Sequence, residues 1–489
     1  MFEDKYPLKR DPYPMFIDGS WVTPEGRESF PVVNPNTNEE IARVFEAGTK
    51  EMEAAVAAAR KAFDEGSWGK LTPRDRGILL GKTADIVERN LERLAFLEAL
   101  DTGKVLAQSL YFDVPQGIDA LRYYCGKARD IHGEITDPAV PGFFNYRLWQ
   151  PVGVVLEILP WNGPLMMGLQ KVAGILAAGN TVIIKPPSDA SLALLEAIKA
   201  FEEAGFPKGV VNIVTGPGKK VGEELARHPG VDMVSVTGST ATGSRVMELA
   251  SKGIKKVALE LGGKNPNIIF EDCDIGRAVD SARDAAFNNQ GEICVSGSRL
   301  LLQESIHDEF VERLAAKAKA LRIGFSTEMT SEIGPLINRS QQEKVLGYIA
   351  SARSEGARLV AGGSAPSQKE LARGNFVIPT IFDGVTQSMR IAREEIFGPV
   401  LSVITFKDEE EALRIANDVE YGLAGAVFTK DIARAHRVAK RLRAGQIYIN
   451  TYYSKAMVES AGVGWKKSGL GSAGITKYMQ PKTVFVAED

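Results

Sequence analysis

Cys294 closes the segment Asn288-Asn289-Gln290-Gly291-Glu292-Ile293-Cys294, and Glu260 stands upstream in Leu259-Glu260-Leu261-Gly262-Gly263-Lys264-Asn265-Pro266. A thiolate is the strongest side-chain nucleophile near neutral pH, and its attack on a carbonyl carbon gives a tetrahedral adduct that must be stabilised and then resolved. A carboxylate within reach of water could resolve it, taking a proton as the water attacks a thioester. A lone Cys more often serves as a small buried apolar side chain. Cys125 and Cys273, with no comparable local context, keep that reading.

Elements of two kinds must position such a pair. Residues 14–45 read as short strands, with Asp18-Gly19 as a hairpin turn. Amphipathic helices follow, one from Thr49 to Phe63 with Thr49 as its cap, then one or two over 72–101. From 151 the pattern becomes strand then helix. Apolar runs at 153–159, 181–185, 210–214 and 233–236 are separated by helix-length segments, and a second series falls at 267–270, 298–303, 376–382 and 399–406. That alternation predicts parallel sheets with crossover helices, in two α/β units. Further strands are expected at 446–450 and 482–486, the latter able to pair with an edge of another subunit.

Two glycine-rich turns compete as dinucleotide sites. Gly469-Leu470-Gly471-Ser472-Ala473-Gly474 has the G-x-G-x-x-G spacing, but no apolar strand precedes it and too little chain follows for a βαβ unit. In Val234-Ser235-Val236-Thr237-Gly238-Ser239-Thr240-Ala241-Thr242-Gly243 an apolar strand enters a turn and then a helical run, and N–H groups at a helix start suit a pyrophosphate. Good helix capping alone would give the same residues.

Composition narrows the function classes. A chain of 489 residues, 44% hydrophobic and 25% charged, has ample core for more than one domain. Its net charge of −3 gives no electrostatic reason to bind nucleic acid or an anionic membrane. Three cysteines form no disulfide framework and fit a reducing compartment, so a cytoplasmic location is expected, with no secretory signal or spanning helix in the sequence. None of His132, His228, His307 and His436 stands at metal-ligand spacing, so no metal site is expected.

Taken together, the Glu260 and Cys294 segments resemble the aldehyde dehydrogenase superfamily, in its hydrolytic, nonacylating NAD(P)+-dependent branch. Further motifs of that family occur in order: Pro160-Trp161-Asn162, Glu394-Glu395-Ile396-Phe397-Gly398-Pro399, Tyr421-Gly422-Leu423 and Gly445-Gln446-Ile447-Tyr448-Ile449-Asn450. The resemblance implies two Rossmann-like α/β domains and a small β oligomerisation arm. Residues 1–128 and 151–259 would form the coenzyme domain, 260–462 the catalytic domain, and 129–150 with 463–489 the arm, in a homodimer or homotetramer. It implies that Cys294 attacks the aldehyde, that Asn162 and the Cys294 N–H stabilise the oxyanion, and that Glu260 activates the deacylating water. Trp161, Lys185, Ser188, Gly238, Ser239, Gly243, Glu395 and Phe397 would hold the coenzyme.

Where the family commonly carries a Glu gripping the adenosine ribose, this chain has Ser188, in Lys185-Pro186-Pro187-Ser188-Asp189. A small hydroxyl removes a charge that would repel a 2′-phosphate, so NADP+ should be accepted and even preferred over NAD+. The alternative is that Ser188 merely begins a helix cap and both coenzymes bind. The chain departs from the family at Ala461-Gly462-Val463-Gly464-Trp465-Lys466 and at Ser472-Ala473. Gly462 stands where an aromatic is usual, and Gly163 where a bulky side chain is frequent. Both leave room for a bulky or aromatic aldehyde, unless Tyr452, Tyr453 or Met167 refills it. Two other readings stay open: a semialdehyde-specific dehydrogenase with Lys455 at the pocket mouth, and a catalytically silent relative that keeps the fold.

Overall fold

The computed structural model describes residues 5–8, 11–26, 28–453, 458–459, 462–471 and 473–488. Its largest sheet runs, edge to edge, through Ser20–Val22, Met15–Ile17, Val211–Ile213, Thr181–Lys185, Val154–Ile158, Met233–Thr237, Lys256–Glu260 and Gly469–Leu470. The five middle strands, from Val211–Ile213 to Lys256–Glu260, are parallel. Their unbroken apolar runs reflect burial on both faces: Val154, Val155, Leu156, Ile183 and Val234 are fully enclosed. At the edge, Asp18 and Gly19 turn the Met15–Ile17 hairpin with positive φ of 50° and 71°, the conformation that a two-residue turn of right-twisted strands requires.

From the central strand Val154–Ile158 the chain winds one way through Thr181–Lys185 and Val211–Ile213, then returns to the other side with Met233–Thr237 and Lys256–Glu260. The strand order therefore reverses beside Val154–Ile158, and a crevice opens there at the strands' carboxyl ends. The register aligns Ile158 with Lys185 and Val236, and Thr237 with Glu260. Lys185, Trp161-Asn162, Gly238 and Glu260 all leave the sheet along that one edge.

The second sheet is ordered Arg358–Ala361, Thr380–Asp383, Val400–Phe406, Arg299–Gln303, Pro266–Ile269, Ala424–Phe428 and Gln446–Ile449, all parallel except the first. A third, antiparallel sheet joins Met479–Ala487, Phe143–Pro151 and Glu134–Thr136, and leaves Ile135 and Phe485 more than two-thirds exposed.

Two local expectations meet the structure differently. Gly469–Leu470 is a short strand antiparallel to Leu259 and Glu260, with a single 3-10 turn, Ile475–Tyr478, after it; the glycine-rich hexapeptide thus edges the first sheet instead of opening a crossover helix. Thr49 is not the cap of its helix. The helix spans Thr49–Asp64 with Gly48 at the cap, and the Glu51 carboxylate accepts the Gly48 N–H at 2.8 Å. A carboxylate three residues into a helix satisfies the cap backbone and meets the positive end of the dipole, so the hydroxyl of Thr49 is not needed there.

Candidate active site

Cys294 sits in a loop whose shape its own sequence would not adopt unaided. After the helix Ile275–Phe287 the backbone enters the left-handed region at three successive residues: Asn289 (φ 49°), Gln290 (φ 45°) and Gly291 (φ 72°). For a side chain such as Gln this costs on the order of 1 kcal/mol and must be held by surroundings. Gly291 also has no alternative, because a Cβ there would lie 2.3 Å from the Gly398 carbonyl oxygen.

The surroundings supply the hold. Asn265 Nδ2 donates to the carbonyls of Cys294 (2.9 Å) and Ser296 (2.8 Å), while its Oδ1 accepts the Ala424 N–H. The fully buried Glu292 accepts the Ile337 N–H at 3.1 Å. Tyr452 Oη donates to the Val295 carbonyl at 2.8 Å and Tyr453 Oη to that of Ala285 at 3.0 Å. The tandem glycines upstream allow close approach. A Cβ on Gly263 would stand 2.7 Å from the Cys294 carbonyl oxygen, and one on Gly262 would overlap the Glu395 carboxylate, which accepts the Gly263 N–H at 2.9 Å.

Across the crevice, Asn162 Nδ2 donates to the Glu292 carbonyl at 2.8 Å, which uses one of its two N–H bonds and fixes the direction of the other. Asn162, Cys294 and Glu260 line one cavity of about 1050 Å³, together with Gly163, Met167 and Tyr453. The expected trio is thus brought together by two sheets that offer opposite ends of their strands. Trp161 and Phe397 meet edge to face at 5.1 Å between ring centroids, joining the first sheet's edge to the segment that bears Glu395.

Burial dominates the electrostatics. It pushes the Cys294 thiol up to about 12, and the Glu395 and Glu260 carboxylates add to the shift by disfavouring a second negative charge. Burial also raises Glu260, opposed by the nearby ammonium groups of Lys171 and Lys477, and raises Glu395, opposed by the Gly263 N–H. Lys185, buried at its strand end, is pushed down to about 8.

The crevice fits a dinucleotide. Ser239 caps the helix Thr240–Ser251 by accepting the Thr242 N–H, leaving the first-turn amides at the carboxyl edge of the sheet. Lys185 makes no ion pair among the described residues, and Ser188 Oγ donates to the Gly216 carbonyl at 3.1 Å. Gly243 has a packing role: a Cβ would lie 2.6 Å from the Leu261 side chain, so the glycine seats the helix against the neighbouring strand.

The pocket residues divide. Gly163, Met167, Tyr453 and Gly462 line the cavity, whereas Tyr452 does not; its ring lies under the Cys294 loop and supports it. Gly462 opens no space, since Gln446 Cγ already lies 2.0 Å from where its Cβ would be, held there as Tyr448 Oη donates to Gln446 Oε1. Gly163 remains open, with only the methyls of Met167 (3.6 Å) and Met166 (3.9 Å) and the Lys104 ammonium (3.9 Å) near its missing Cβ. Lys455 lies outside the described residues. Lys104, Lys171, Gln446 and Lys477 also line the cavity and were not foreseen. Lys171 had a legible signal, being four residues after Met167 on one face of the helix Pro164–Ala177; Lys104 and Lys477 had none.

Comparison with known proteins agrees with this geometry. The aldehyde dehydrogenase family model matches residues 21–484. The chain is 44% identical to betaine aldehyde dehydrogenase of Bacillus subtilis (strain 168), over 96% of each chain. It is 43% identical to retinal dehydrogenase 2 of Mus musculus, over 96% of this chain and 91% of that one. Its structure is similar to betaine aldehyde dehydrogenase from Staphylococcus aureus in complex with NAD+, with a TM-score of 0.95 and 38% identity, over 98% and 95% of the two chains. With the fold, the strand-edge crevice and the sequence match agreeing over nearly its whole length, the chain belongs to the aldehyde dehydrogenase family.

Proposed function

We propose that the enzyme oxidises an aldehyde to its carboxylic acid with NAD(P)+, using Cys294 as nucleophile and Glu260 as the base for deacylation. The convergence of Cys294, Asn162 and Glu260 on one cavity carries this reading. The Cys294 thiol passes its proton to water as Sγ bonds to the aldehyde carbon and the C=O π pair moves to oxygen, where the free Asn162 N–H and the Cys294 N–H stabilise it. Bound NAD(P)+ supplies the hydride acceptor. Glu260 then takes a proton from water as that water adds to the Cys294 thioester, and collapse releases the acid and the thiol.

Three finer readings belong to the same proposal. The open space beside Gly163 favours a bulky or aromatic aldehyde. Relatives are solved with NAD+, and Ser188 places no carboxylate against a 2′-phosphate near Lys185, so both coenzymes are accepted. The exposed apolar residues of the antiparallel sheet, Ile135 and Phe485 among them, favour pairing with a second copy of the chain. Initial rates of NADH and NADPH formation across short aliphatic, aromatic and carboxylated aldehydes, with Cys294→Ala as blank, test the whole. Turnover that survives in the blank would refute the nucleophile, and turnover confined to acetaldehyde-sized substrates would refute the wide pocket.

A further inference from the structure

Gly163 follows the oxyanion donor Asn162 directly, and its missing side chain uncovers a buried ion cluster. Lys104 is 1% exposed and Asp113 2% exposed, yet both line the cavity. Lys104 Nζ stands 2.9 Å from Asp113 Oδ2 and 3.6 Å from Glu98 Oε1. An ammonium has three N–H bonds, and these two ion contacts are not well-directed hydrogen bonds, so Nζ keeps a donor for a ligand. Asp113 Oδ2 has no well-directed hydrogen-bond donor among the described residues. A side chain larger than a methyl at 163 would sit over Nζ and close the cluster off; glycine leaves it as part of the wall.

Such a wall selects by charge. A distal carboxylate on the substrate would meet Asp113 and Glu98, and a quaternary ammonium would meet Lys104. A hydroxyl is the smallest substrate group that both accepts from Nζ and donates to Oδ2 from a single atom without bringing a net charge into a buried site.

We propose that the Lys104–Asp113 pair beside Gly163 is a recognition site for a hydroxyl carried by the aldehyde, so that the enzyme prefers hydroxylated aldehydes over isosteric apolar ones. This rests on the reading that Gly163 widens the substrate cavity.

The test measures kcat/KM on matched pairs: 3-hydroxypropanal against butanal, and 3- and 4-hydroxybenzaldehyde against 3- and 4-methylbenzaldehyde. The wild type should favour the hydroxyl member of at least one pair by roughly 10- to 100-fold, the effect of a charge-assisted hydrogen bond. In Gly163→Val, which covers Nζ, that ratio should fall towards one. Each ratio is taken within one enzyme, so a general loss of turnover cancels. Asp113→Asn, which keeps the shape but removes the charged acceptor, should lower the ratio part of the way; if it fails to fold, the Gly163→Val ratio still decides. Equal rates within every wild-type pair, or a preference that survives in Gly163→Val, would overturn the hydroxyl site. If methylbenzaldehydes are still oxidised in that case, the wide-cavity reading stands by itself. If no ring substrate reacts while butanal does, the wide cavity fails; the hydroxyl site fails with it when 3-hydroxypropanal and butanal are turned over equally.

Discussion

The two sheets that meet at the cavity deliver their chemistry in different ways. The first presents Lys185 and Glu260 at strand ends fixed by the ladder itself, with Ile158 opposite Lys185 and Thr237 opposite Glu260, and Gly238 and Asn162 in the turns just beyond. The second presents Cys294 from a loop with three left-handed residues in a row, and that loop holds its shape through Asn265, Glu292 and Tyr452. Strand-end groups inherit the rigidity of the sheet, whereas a loop residue such as Cys294 depends on a shell of individually replaceable hydrogen bonds.

The largest effect should come from replacing Glu260, the base proposed above. Glu260→Gln should keep a first-turnover burst of reduced coenzyme and lower the steady-state rate by roughly 10²- to 10⁴-fold, as loss of a general base does. Rapid-mixing kinetics check this, and loss of the burst as well would place Glu260 before the thioester. Because burial raises its pKa, the wild-type deacylation rate should fall, as pH drops, at values above the ordinary carboxylate range.

Loop support comes next. Asn265→Ala leaves two carbonyls and one N–H without partners and should destabilise the protein by about 3 kcal/mol, against about 1 kcal/mol for the cap substitution Ser239→Ala in the first sheet's crevice. Denaturant melts of both variants would erase the contrast between sheets if the two losses were equal.

At the crevice itself, Ser188→Glu puts a carboxylate where the proposed coenzyme reading sets the 2′-phosphate. The ratio of kcat/KM for NADP+ over NAD+ should drop about tenfold or more, the scale of a like-charge contact near a surface. An unchanged ratio would leave Ser188 as a helix-start residue only.

The smallest effect concerns the thiol. Inactivation of coenzyme-free enzyme by iodoacetamide should accelerate with pH through the alkaline range, since the thiol is held up to about 12. Glu395→Gln removes a negative neighbour, which lowers the thiol's pKa and raises the thiolate fraction at fixed pH. Inactivation near neutral pH should then be several-fold faster, and a slower rate would mean that Glu395 does not act on Sγ through its charge.

Much of this was readable before the structure. The parallel strands appeared as apolar runs because both faces are buried, and the Gly469 to Gly474 hexapeptide could be set aside because no strand and helix flank it. The Thr49 cap was misread because Glu51 competes for the same backbone group, and local sequence does not rank the two. Gly163 and Gly462 looked alike as missing side chains, yet one faces methionine methyls and an ammonium and the other is filled by Gln446. Tyr452 looked like a pocket residue and turned out to be a prop beneath the nucleophile's loop.

By itself the sequence determined the family and the kinds of element the chain would form, and it nominated the residues proposed for the reaction, because residue types and strand patterns are legible at short range. Only the tertiary structure decided that Asn162 and Cys294 line one cavity, that Gly262 and Gly263 are where two elements touch, and that Lys104 belongs to the cavity wall. Those facts depend on residues far apart in the chain arriving within a few ångströms, and neither composition nor periodicity carries that distance.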